Sequence, residues 1–145
     1  MDNYNFVITA DYHQFYIEDK SIVADSSKHL WTDEQIAARL SVCPHSIGIM
    51  TFREGKLPVQ IIILDNPDYK IEAKGYDKVS KGEIRVPSQK LILSAPFSYR
   101  PDCPVILLNK EVYNIQVYYY GENTISEDGF EGNDYYEVYL IPLTT

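Results

Sequence analysis

Along most of the chain, apolar and polar positions alternate in short runs set off by turn-forming residues, the period-two pattern of half-buried strands. Residues 6–10 and 12–18 are apolar or aromatic runs broken near Asp11, compatible with one long bulged strand or two short ones. Further strands are predicted over 46–53, 59–64, 69–74, 83–86, 91–94, 105–108, 112–120 and 135–142, with Glu54-Gly55-Lys56 as a hairpin-type turn. The run IIIL at 61–64 is apolar on both faces and predicts a strand inside a sheet. VYNIQVYYY and YYEVYLI alternate and predict strands with one face toward water. One segment breaks the period. Thr32 stands where an N-cap belongs, Gln35 completes a capping box, and Ile36, Ala37 and Leu40 form an apolar stripe that Pro44 terminates. Trp31, just ahead of the cap, would staple the helix entry by packing on Ile36. The expectation is an all-β fold, an antiparallel β-sandwich of about eight strands with one short α-helix near residues 32–41, formed as one domain over 1–145.

Composition supports this. At 145 residues the chain is the usual size of one domain and buries roughly two-thirds of its unfolded surface without help from disulfides or metals. Thirteen tyrosines and repeated Val/Ile clusters favour pleated surfaces. The N-terminus has no basic region followed by an apolar run, and no stretch approaches the ~20 apolar residues of a membrane span, so a cytoplasmic location is expected. Cys43 and Cys103 are isolated thiols, expected as small buried hydrophobes rather than a bridge.

Charge changes the picture more. The net charge is −8, with −1 through Lys110 and −7 over 111–145, where no basic residue occurs. Such a surface repels nucleic acid, whose recognition requires Lys and Arg to displace condensed counterions. It attracts a basic protein and speeds their encounter.

Candidate chemistry is sparse. His13, His29 and His45 form no HExxH, and neither a GxSxG elbow nor a Gly-rich phosphate loop is present, so no enzymatic activity is expected. His29, Cys43, His45 and Cys103 lack the spacing of a zinc knuckle. The acidic stretch GENTISEDGFEGNDYYE at 121–137 fails the calcium-loop pattern, since from Glu127 the third position is Gly129. Neither a metal nor another cofactor is expected. Its glycines, Gly121, Gly129 and Gly132, suit a solvated hairpin loop, and its carboxylates suit an edge that faces a partner.

Two motifs add a further expectation. YHQF at 12–15 and WTDE with Ile36 at 31–36, followed by Ile47-Gly48-Ile49 entering a strand that ends near Phe52, resemble the competence protein J family of bacteria. The likeness is clear over roughly residues 8–53. Small acidic members of that family inhibit a competence-associated DNA-entry nuclease, so the resemblance implies a non-catalytic nuclease inhibitor or immunity protein. In that role Glu127, Asp128, Glu131 and Asp134 would face Lys and Arg of the enzyme's cleft, while Phe130, Tyr135 and Tyr136 supply aromatic contact area. The alternative is a carbohydrate-binding or small-ligand module, which requires aromatics gathered in one concave, water-facing patch. The motifs themselves read as structural, with Trp31 in the core.

Overall fold

The computed structural model describes residues 1–23 and 28–143. Among these, ten strands form two five-stranded sheets. The first has the order β1 (Asp2–Ala10), β5 (Gly55–Ile63), β10 (Tyr135–Pro142), β9 (Val112–Tyr120), β6 (Lys78–Arg85). The second has the order β3 (Leu40–Cys43), β4 (Ser46–Met50), β2 (Gln14–Asp19), β7 (Lys90–Ser94), β8 (Val105–Leu107). Neighbouring strands are antiparallel except β5 and β10, which run parallel. The fold is all-β as expected, with ten strands where about eight were expected.

One core draws on both sheets. Ile8, Leu57, Ile61 and Val138 of the first pack in the same cluster as Phe15, Ile17, Ile47 and Leu93 of the second. Each large apolar side chain so buried stabilises by roughly 1.5–3 kcal/mol. The double-faced run at 61–64 has a clear cause. Ile61 and Ile63 enter this core, while Ile62 and Leu64 join Ile141 on the opposite face, with Ile71 and Tyr139 packed over them. Residues 69–74, predicted as a strand, are irregular and help cover that face through Ile71.

Local expectations shift at three places. The segments before and after Asp11 are separate strands in different sheets, joined by a turn with Tyr12 and His13 at positive φ. Helix α1 (Asp33–Ala38) keeps its capping box but ends at Arg39, whose φ of 60° is left-handed, so Leu40 joins the core from β3 rather than from a helical stripe. Gly55 does carry a positive φ of 93°, yet β4 and β5 lie in different sheets, so the turn there is a crossover and not a hairpin.

Candidate functional site

The acidic stretch closes the hairpin between β9 and β10, as its glycines suggested. Gly121 leaves β9 at a φ of 73°, a short 3-10 turn follows at Glu122–Thr124, and Gly129 turns the tip at a φ of 77°. Hydrogen bonds brace the loop across its base. The Thr124 hydroxyl donates to the Gly121 carbonyl and accepts from the Asn133 amide, and the Ser126 amide donates to the Glu131 carbonyl at 2.7 Å. At the tip, Asp128 Oδ1 accepts from the Ser126 hydroxyl and the Phe130 amide, and these bonds hold its carboxyl below the usual range. The Glu54 amide donates to the Gly129 carbonyl at 2.9 Å, so the crossover between β4 and β5 supports the tip from beside it.

Two ion pairs anchor the ends. Arg39 grips Glu122 with both terminal guanidinium nitrogens while its Cζ lies 4.4 Å from the Phe52 ring centroid. Arg53 pairs with Asp134, which also accepts from the Tyr136 hydroxyl at 2.8 Å. The six carboxylates of 122–137 therefore divide. Glu122 and Asp134 are neutralised by the chain's own arginines, and Glu137 accepts from the Tyr120 hydroxyl. Glu127, Asp128 and Glu131 stand exposed with no ion pair among the described residues.

This division corrects the expected contact set. Glu127, Asp128, Phe130 and Glu131 lie together on the exposed tip, and Tyr135 is partly open, stacked on Tyr120 at 4.6 Å. Asp134 and Tyr136 are not partner-facing residues. Asp134, one residue ahead of β10, is fully buried, and Tyr136 lies in the core against Phe15, both in phase with the inward face of that strand. The other outward tyrosines cover one another: Tyr118 meets both Tyr76 and Tyr139 edge-on.

The two motifs meet in space. Gln14 Oε1 accepts from the Trp31 indole at 2.7 Å and from the Tyr16 hydroxyl at 2.8 Å. The His29 ring stacks on Tyr16, with its nitrogens 2.7 Å from Ser41 Oγ and 2.8 Å from Ser46 Oγ. Trp31 lies so close over β4 that a Cβ at Gly48 would sit 3.0 Å from its ring, which makes glycine the fitting residue there. Trp31 thus seals the outer face of the second sheet and is only partly buried, and Ile36, its expected staple partner, stays 46% exposed. Beneath this cover, buried Glu18 accepts from Ser46, Ser94 and Arg100. Of the conceivable metal ligands, His29 and Cys43 are neighbours, whereas Cys103 lies by Tyr99. Both cysteines are partly buried.

No family model matches the chain, and no curated protein matches it. Among solved structures it is similar to the crystal structure of ComJ, inhibitor of the DNA degrading activity of NucA, from Bacillus subtilis: the TM-score is 0.73, with 17% identity over 98% of both chains. It is also similar to a structure described as crocagin biosynthetic gene J, with a TM-score of 0.66 and 13% identity over 98% of this chain and 97% of that one. At such identities the likeness is one of fold. The resemblance carried by YHQF and WTDE extends, as fold, over nearly the whole chain.

Proposed function

We propose, taking the ComJ-like fold as the premise, that this chain is a non-catalytic inhibitor of a DNA-degrading enzyme and meets it through the tip of the β9–β10 loop. The observation that carries the reading is the division of charge. Internal arginines neutralise the base of the loop, while Glu127, Asp128 and Glu131 are held outward on a braced tip beside the exposed ring of Phe130. Carboxylates carried on such a braced backbone can stand where phosphates would lie in a basic, DNA-gripping cleft. Because the tip is already ordered by its own hydrogen bonds, little conformational entropy is lost on docking.

The sugar-binding alternative loses its platform on the tyrosine-rich strands. Tyr118 and Tyr120 are buried beneath neighbouring rings rather than open to a ligand.

The test measures DNA degradation by purified NucA and by the nuclease that the immobilised chain captures from its own host. The wild-type chain suppresses at least one of them. The triple variant Glu127→Gln, Asp128→Asn, Glu131→Gln raises the half-inhibitory concentration about tenfold at low salt, chiefly through slower association, and the gap narrows as salt rises. Inhibition by the triple variant equal to wild type removes the tip from the interface. Failure of the wild type against both enzymes removes the function.

A further inference from the structure

On the same pole as the acidic tip lies a groove of about 460 Å³ that the loop does not enter. One wall is Val7–Thr9 of β1, an edge strand that among the described residues pairs with β5 alone; the other is the connection between β7 and β8, which presents Phe97 and Tyr99. Isolated exposed apolar side chains are ordinary on a protein surface. Here Val7, Phe97 and Tyr99 are 70–71% exposed around one groove, and Tyr12 extends the patch, its ring 5.3 Å from that of Phe97.

The charge of the groove is of one sign. Asp11 and Asp102 line it, and among the described residues no Lys or Arg does. The nearby Arg100 is engaged elsewhere, donating to Glu18 and to the carbonyls of Asp19, Lys20 and Ile22. Asp11 is held in place by the Phe97 amide at 3.2 Å. The groove also connects to the tip. The turn at Tyr12 and His13 leads from β1 to Glu54, which accepts from the His13 amide and donates its own amide to Gly129.

We propose that this groove takes an extended, basic segment of the nuclease partner, added edge to edge onto β1. The proposal rests on the inhibitor reading above and names a second contact for it. Three features select this occupant. An edge strand offers a row of unpaired backbone donors and acceptors that a strand satisfies and a helix does not. The exposed rings give an apolar side chain of that strand a seat. The two carboxylates favour Lys or Arg on the incoming segment and disfavour nucleic acid or a second copy of a chain with a net charge of −8.

The experiment uses the full chain and whichever enzyme the wild type inhibits, NucA or the captured host nuclease. Two double variants are compared, Phe97→Ser with Tyr99→Ser, and Asp11→Asn with Asp102→Asn. Amide hydrogen exchange of the free and complexed wild type is followed over residues 5–10. The ring variant is expected to raise the half-inhibitory concentration at least tenfold at every salt concentration. The carboxylate variant raises it about three- to tenfold at low salt and less at high salt. Exchange along β1 slows in the complex. If the ring variant loses its native melting transition, Val7→Lys serves in its place.

Wild-type inhibition that survives both double variants, or β1 amides that exchange equally in the free and bound states, overturns the groove and leaves the inhibitor reading standing. Protection of β1 by a soluble glycan or by self-association in the absence of nuclease overturns it as well. A wild-type chain that inhibits neither enzyme overturns both readings together.

Discussion

Asp134 shows what burial does to one carboxylate among several. Its side chain is fully removed from water, and it accepts from Arg53 and from the Tyr136 hydroxyl. A paired charge in such a site contributes little net stability, but stripping away one partner leaves the other desolvated and uncompensated. Asp134→Ala is therefore expected to lower unfolding free energy by roughly 3–5 kcal/mol, read as a shift in the urea midpoint. The double variant Asp134→Leu with Arg53→Met, which removes both charges, should recover most of that loss. Equal destabilisation of the single and double variants would show that packing rather than charge governs the site. In the sequence, Asp134 stands in the same stretch as Asp128 and is indistinguishable from it. What separates them is Arg53, 81 residues away, which reaches one and not the other.

The loop between β9 and β10 is ordered by backbone geometry as much as by charge. Gly121 adopts a φ of 73°, and a Cβ there would stand 2.9 Å from the Asn133 carbonyl oxygen, a backbone atom with no room to retreat. Gly121→Ala combines left-handed strain with that clash, at a cost on the order of 1–3 kcal/mol. It should also weaken the inhibition proposed above although every acidic side chain is retained, because the tip shifts relative to Glu54. Retained stability together with retained inhibition would mean that the loop adapts freely. The element scale also shows where local signals were sufficient. The capping box of Thr32 and Gln35 formed as its residues predict, since both partners lie within one turn. The helix end did not follow the apolar stripe. The left-handed Arg39 donates its amide back to Ile36, and its guanidinium is drawn to Glu122 across the molecule.

At the scale of the whole molecule, the abundance of tyrosine has an alkaline consequence. Burial, followed by the nearby Glu137 carboxylate, pushes the Tyr139 phenol up to about 12 from an ordinary 10, and burial also raises Tyr119, Tyr120 and Tyr136. Between those values the folded chain holds protons that the unfolded chain has released. The stabilisation is complete below pH 10 and is lost as pH rises through the folded values. Denaturation midpoints should fall steadily above pH 10, and phenolate absorbance should lag behind that of the urea-unfolded chain. Coincident titration curves for the two states would contradict the packing described for these rings.

The residues alone determined the strand-rich pattern, the capped helix start, the glycine-turned hairpin at 121–132 and the concentration of negative charge beyond Lys110. Each depends on neighbours a few positions apart, where alternation, capping and turn preference act. Only the tertiary structure decided that β5 and β10 run parallel, that 69–74 forms no strand, and that Asp134 and Tyr136 are interior while Asp128 and Phe130 face outward. It likewise placed Phe97 and Tyr99 beside the open edge of β1, a groove with no local signature in the chain. The reason is that strand pairing and burial are set by contacts between distant segments, whose register flips a side chain from solvent to core with a slip of one residue.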